Sequence, residues 1–367
     1  MMKSSDVVTP VQLAVTIIST MIGVSLLGIP NFVTEKVGTA APLSSVLGVL
    51  MGGLGILAIT LLGRRFPKQT LIGYNQKILG KKLGNFFSIV IILFFLILMG
   101  VETRHFAEVI VGSLLPDTPI SISIFFMIFL CASISFLSVS TFVYIHFFYL
   151  PFIIIPLLII LLPSIKNITF YHLFPITGHD VSIGMLFSGG MNVTQAISNF
   201  MVIAMLIPFM KNPKKCVKSG IWGYVIGSLF FIMTITIALA VFGPEEMKHL
   251  LWPTLILGQM VQIPGDVLSR VDAILLIAWI FAVFTTLFSY YFLYVRGVAE
   301  LVRSSKYRLI SSLGFPFVFI VALLPKDIYE VYYYVLEVTL GGLILTIIYP
   351  MCLLILAIIR KQRGIAE

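Results

Sequence analysis

Six polar side chains fall within twelve residues of an otherwise apolar stretch: Ser188, Asn192, Thr194, Gln195, Ser198 and Asn199 in the run Ser-Gly-Gly-Met-Asn-Val-Thr-Gln-Ala-Ile-Ser-Asn. Amides and hydroxyls act by donating and accepting hydrogen bonds and stay uncharged near neutral pH. Their chemistry is recognition of a small polar ligand or of water, with Thr194, Gln195 and Asn199 as candidate contacts. Gln195 and Asn199, four apart, share a helix face. The same groups also tie helices together in membrane bundles, so both uses stay open at this point. A second group, Glu102, Arg104, His105 and Glu108, closes another apolar run. Arg104 and Glu108 are spaced to pair at a rim, while Glu102 lies deeper and about 200° around the helix. A carboxylate at that depth is a candidate for an ion, proton or water path; a structural partner for Arg104 is the plainer use. Asp272, two residues after Arg270, is a second candidate for that path, with an interfacial structural role beside it. Thr285 follows about 19 Å further along the same helix and is a candidate ligand contact.

Covalent chemistry has no carrier in the chain. There is no phosphate-binding Gly-x-x-x-x-Gly-Lys-Ser/Thr loop, no His-Glu-x-x-His pair and no nucleophile elbow. Cys131, Cys216 and Cys352 are far apart and show neither a disulfide framework nor metal spacing. The expectation is a protein that is not an enzyme and needs no cofactor.

The strongest pointer to a binding site is backbone chemistry. Gly23-Val-Ser-Leu-Leu-Gly-Ile-Pro30 sits in the middle of the first long apolar run. Two glycines and a proline there loosen a helix where lipid penalises unpaired N–H and C=O groups most. Such breaks persist at membrane depth only where the freed backbone faces protein, water or ligand. Broken helices of this kind form midplane sites in secondary transporters. Gly23, Val24, Ser25 and Gly28 are therefore candidate ligand contacts, the freed N–H groups presenting a positive helix end to an anion such as an amino acid carboxylate. Glycines also serve close helix packing and prolines kink many membrane helices, which suffices for Pro151, Pro156 and Pro208.

Hydrophobic residues make up 59% of the 367-residue chain and charged ones only 11%, and mean hydropathy is +1.09. That balance is a polytopic membrane protein's. The uncharged runs, measured against the roughly 20 residues a bilayer core requires, give ten spans. They lie between Asp6 and Glu35, Lys36 and Arg64, Lys82 and Glu102, Asp180 and Lys211, Lys218 and Glu245, Asp272 and Arg296, Arg308 and Lys326, and Glu337 and Arg360, with two spans sharing Asp117–Lys166. The shared run should turn near Ser138–Thr141. The first run is too long for a signal peptide and lacks a cleavage pattern. The net charge of +9 is unevenly placed: 18 of the 24 lysines and arginines fall on one side if both termini are cytoplasmic. The positive-inside rule then sets the topology, and the basic loops read as topology signals rather than as a nucleic-acid surface.

Ten spans divide into five and five, an odd number per half, which inverts the second half against the first. We expect a single transmembrane domain over 1–367 with repeats at 10–163 and 184–360. Fold class is accordingly all-α integral membrane, with helices one and six broken. Span six, counterpart of span one, carries the polar run at 188–199. The Arg64–Gly84 connection, with Leu71, Ile72, Ile78 and Leu79 among lysines, should lie on the inner membrane surface.

Thr9-Pro10-Val11-Gln12 leading into Ile22–Pro30, Asn212-Pro213-Lys214-Lys215 after span six, and Arg270-Val271-Asp272 followed by Trp279 together resemble the spore germination permeases. These are B subunits of nutrient germinant receptors. The resemblance covers essentially the whole chain. It implies an amino acid–polyamine–organocation transporter fold in the inner membrane of the spore, and a complex with a larger A subunit and a lipoprotein C subunit. It further implies a small nutrient, often an amino acid, bound by Gly23–Gly28 with Thr194, Gln195 and Thr285, triggering germination. An amino acid/proton symporter of the same superfamily is the alternative, with Glu102 or Asp272 as proton carriers, and a passive channel is a third reading.

Overall fold

In the computed structural model, which describes residues 7–260 and 271–364, Thr9 starts the first helix by a reciprocal cap. Its hydroxyl accepts from the Gln12 amide at 3.2 Å, and its own N–H donates to Gln12 Oε1 at 2.9 Å. Pro10 supplies a first helical position that has no N–H to satisfy. The Thr-Pro-Val-Gln motif is thus a helix-start device. Asp6 and Arg270, named above, lie outside the described residues.

Helix α1 (Pro10–Met21) stops as expected, the chain passes through a short 3₁₀ turn at Val24–Leu26, and α2 (Ile29–Val37) resumes. Pro30 lies in the first turn of α2, where its fixed φ starts a helix. The rest of the chain is α3 (Ala41–Arg65), α4 (Leu71–Leu79), α5 (Lys81–Ser113), α6 (Ile120–Ile134), α7 (Val139–Ser164), α8 (Ile183–Ile197), α9 (Ile203–Leu206) and α10 (Cys216–Met247), then α11 (Pro253–Met260), α12 (Val271–Leu301), α13 (Tyr307–Leu323), α14 (Ile328–Leu343) and α15 (Tyr349–Ile359). Among the described residues the only β pairing is an isolated bridge from Val8 to Met210, which ties the start of α1 to the end of the second broken segment. Seven helical stretches are long and apolar enough to cross a membrane; α1, α6 and α13 are shorter apolar helices of 12, 15 and 17 residues. The shared run turns just before Ser138, whose side chain caps α7.

The second interruption lies later than the sequence run suggests. Helix α8 continues through the Gly189–Gly190 pair and ends at Ile197; the break is Ser198 with the 3₁₀ turn Asn199–Val202, followed by the single turn α9. The glycine pair does something else. A methyl on Gly48 of α3 would overlap the Gly190 carbonyl oxygen, and one on Gly189 would come within 2.6 Å of Ser44 Oγ. Small residues thus let α3 and α8 touch backbone to backbone.

Helix neighbours repeat when the two halves are exchanged. Helix α1 packs on α10, and its counterpart α8 packs on α3; α1 meets α7 as α8 meets α14. Helix α5 contacts α13 and α14 as α12 contacts α6 and α7, while α3–α10 and α5–α12 pair counterpart with counterpart. Even the connectors correspond, α4 packing on α5 and α11 on α12. A two-fold five-plus-five arrangement generates this set of neighbours. Helix α4 differs from expectation in one respect: Leu71, Ile72 and Ile78 are fully buried, so its apolar face meets protein rather than lipid.

Candidate functional site

A helix broken inside a bundle leaves backbone groups that need partners. At the end of α1, Thr285 Oγ1 of α12 donates to the Ser19 carbonyl at 3.0 Å, and Thr286 Oγ1 donates to the Thr20 carbonyl at 2.9 Å. Beyond the break, Thr254 of α11 donates its N–H to the Leu27 carbonyl and its hydroxyl to the Leu26 carbonyl. Thr285 is therefore the satisfier of an interrupted helix end, and it is not among the residues that line the cavity described next. Gly23 serves the same joint, since a methyl there would sit 2.5 Å from Thr286 Oγ1.

The two breaks flank a half-open cavity of about 80 Å³ bounded by α2, α5, α8 and α14. Ser25 reaches it from the first break, Gln195 from α8 and Asn199 from the second break. Glu102 and His105 reach it from α5, and Tyr332 from α14. Glu102 and His105 are one helical turn apart, with Oε2 and Nδ1 4.0 Å from each other, and both side chains are buried. Glu102 Oε2 and His105 Nε2 have no hydrogen-bond partner among the described residues. Around them stand Phe32 and Tyr332, edge-on with centroids 5.0 Å apart, and Tyr332 is edge-on to the His105 ring at 5.2 Å. Among the described residues, no lysine or arginine lines the cavity. Lys36 stands beside it, its Nζ 3.5 Å from Asn192 Oδ1, while Asn192 Nδ2 donates to the Phe32 carbonyl.

The cavity thus gathers Ser25, Gln195, Asn199 and Glu102 from the sequence expectations and leaves the others elsewhere. Thr194 Oγ1 donates to the Gly48 carbonyl at 2.9 Å and to Gly190, the interhelical use, because it faces α3. Val24 and Gly28 are buried within the first break, with the Leu251 carbonyl and Phe32 ring closing on Gly28. Asp272 packs near Gly258 of α11 at the start of α12 and is not among the cavity residues. Arg104 pairs with Glu108 at 2.8 Å and donates to the Lys326 carbonyl, so Glu102 does not serve it. Sequence reasoning gave no ligand role to His105, Asn192, Phe32 or Tyr332. The spacing from Glu102 to His105 and from Asn192 to Gln195, three in each case, is the helical signal that groups them.

A second polar cluster joins α1, α7 and α12. His146 Nδ1 lies 2.5 Å from Ser19 Oγ and its Nε2 lies 3.2 Å from Ser289 Oγ, which in turn is 3.1 Å from Thr20 Oγ1. The ring is packed between Phe142 and Phe288. This knot holds the broken helix against its neighbours. His146→Ala should lower stability by about 2–4 kcal/mol, through lost packing and lost hydrogen bonds. Thermal unfolding of the detergent-solubilised chain checks it, and an unchanged midpoint would show the knot to be idle.

Comparison with known proteins agrees with this geometry. A family model described as spore germination protein matches residues 7–331. Spore germination protein YndE of Bacillus subtilis (strain 168) is 27% identical over 369 residues, covering 99% of each chain. Spore germination protein B2 of the same strain is 26% identical over 91% of each chain, and A2 is 28% identical over 86% of each. In three dimensions the chain is similar to MhsT, solved in complex with L-phenylalanine, with a TM-score of 0.70 at 12% identity, covering 98% of this chain and 91% of that one. That likeness carries the fold, an all-helical transporter-like bundle. With both helix breaks in place and the match running almost end to end, the chain is a multi-pass, non-enzymatic membrane protein of the spore germination protein (spore permease) family.

Proposed function

We propose that the protein is the membrane subunit of a spore nutrient germinant receptor, which binds a small nutrient, an amino acid, in the cavity between α2, α5, α8 and α14 and so triggers germination. The carrying observation is the pair of unpartnered polar atoms, Glu102 Oε2 and His105 Nε2, buried in a cavity flanked by both helix breaks. A buried carboxylate oxygen without a protein donor is costly. An ammonium group satisfies it, with Ser25, Gln195 and Asn199 available for the remaining polar atoms. A protein of the same fold, MhsT, holds L-phenylalanine.

Occupancy triggers a response only to the extent that the ligand prefers one arrangement of the bundle over another. The broken segments, which touch the cavity and carry α2 and α9, are the parts best placed to differ between arrangements. Partner A and lipoprotein C subunits would read that difference. The uneven placement of lysine and arginine supports an inner-membrane location with both termini cytoplasmic. Glu102 also favours a second reading, a symporter in which this carboxylate carries the proton.

Gln195→Leu, in spores where this receptor is the sole responder, should shift the nutrient dose-response by at least about tenfold, as expected for loss of one polar contact inside a buried site. An unchanged curve would remove the cavity as the site. Concentrative amino acid uptake into proteoliposomes by this chain alone would favour the symporter.

A further inference from the structure

Helix α14 has two unlike faces. Tyr332, Val335 and Leu336 line the cavity. On the other side Tyr333, Glu337, Gly341 and Ile344 form an exposed stripe. Glu337 is at its centre, about 140° around the helix from Tyr332 and about 160° from Val335. Its depth follows from the register of α14 on α5. Tyr332 meets the His105 ring, and Gly342 meets Phe94. Glu337, midway between them, is therefore level with Met99 and Gly100, about a turn inside Arg104. Gly100 in turn packs on Val321 and the Val318 carbonyl of α13, whose outward residues nearby, Phe317 and Ile320, are exposed hydrocarbon. Tyr333 and Tyr334, exposed one turn earlier, suit the membrane boundary, where tyrosine is enriched. A carboxylate thus stands within the lipid belt. Among the described residues it has no ion-pair or hydrogen-bond partner.

Ionisable groups inside membrane-crossing helices face the protein interior or a water path and pair there. One that faces outward needs its partner from outside the chain. We propose that this face of α14 docks a spanning helix of another membrane protein, and that the helix carries a lysine or arginine which pairs with Glu337. Shape agrees with charge. One turn below the acid, Gly341 leaves the backbone bare, with nothing within 4 Å of a methyl built there. Bare backbone of this kind lets a second helix approach closely. Leu340, Ile344 and Ile348 continue the seam as exposed hydrocarbon. A second copy of this chain does not fit. Its lysines and arginines bound the apolar runs, and Arg104, which lies within α5, is buried against Glu108. Lipid tails do not fit either, since they offer the carboxylate neither a cation nor a donor. One helix thus joins the cavity on one side to the partner on the other, whether the cavity serves reception or uptake.

The test is photo-cross-linking of the full chain in its native membrane, with p-benzoylphenylalanine in place of Gly341 and the adducts sequenced. The expected adduct is with one other membrane protein, through an apolar segment of spanning length that contains a lysine or arginine. The same probe at Phe126, exposed on α6, should not give it. Glu337→Gln should cut the yield about three- to thirtyfold, the worth of one interhelical polar contact in a bilayer. The thermal midpoint of the solubilised chain should not move. Glu337→Lys should abolish the adduct, and exchanging the partner's basic residue for glutamate should then restore it, a rescue no misfolded variant gives. A self-adduct, adducts with lipid alone, a cross-linked segment without a basic residue, or a yield unmoved by Glu337→Gln overturns the docking assignment. Each leaves the reading of the cavity standing.

Discussion

Glu102→Gln is expected to weaken nutrient binding by about 30- to 1,000-fold, the range set by the 2–4 kcal/mol lost when one member of a buried charged pair is neutralised. The substitution is nearly isosteric, so the fold should survive it. It matters because, among the described residues, the cavity is lined by one acid and by no lysine or arginine. Arg104 is not available to compensate, since its guanidinium is held by Glu108 and by the Lys326 carbonyl. An ammonium on the ligand is the partner this arrangement calls for. His105→Gln should cost less, because a neutral imidazole and an amide offer similar hydrogen bonds. Calorimetric titration of the purified variants with the preferred amino acid measures both. If Glu102→Gln binds normally yet abolishes concentrative uptake, the carboxylate carries a proton and the symporter reading stands.

Gly48→Ala is expected to lower the thermal midpoint of the solubilised protein sharply, with a cost of about 2–4 kcal/mol. The added methyl would overlap the Gly190 carbonyl oxygen and approach Val193 Cβ to 2.9 Å. Backbone cannot rotate away as a side chain can, so α3 and α8 must separate. Separation also breaks the Thr194 hydrogen bond to the Gly48 carbonyl. Since α8 carries Asn192 and Gln195 into the cavity, ligand affinity should fall with stability. Gly341→Ala is the control: nothing lies within 4 Å of a methyl there, and alanine favours the helix over glycine. Equal effects from the two substitutions would show that the close approach contributes nothing.

The polar run at 188–199 illustrates how far residue types alone reach. Its members are all real contributors to the broken helix and its surroundings, yet they divide three ways. Gln195 and Asn192 face the cavity, Thr194 faces α3, and the glycine pair serves contact rather than interruption. Thr285 was legible as a midplane hydroxyl. That it spends itself on an orphaned carbonyl of α1 depends on α12 crossing just beneath Ser19. Glu102 was legible as a deep acid, while its lack of a protein partner depends on Arg104 being held on another face of α5.

Sequence by itself determined the membrane class, the positions of the apolar runs, the break at Gly23–Pro30 and the pairing of span one with span six. Each follows from properties local to the chain: hydropathy summed over a window, glycine and proline acting on their own backbone, and a cap built within Thr9–Gln12. Tertiary structure alone decided where the second break falls and which polar groups share a cavity. Those depend on the rotation of each helix about its axis and on its depth against its neighbours. Both are set by packing contacts between residues more than a hundred positions apart, such as Gly48 with Gly190 and Ser19 with His146.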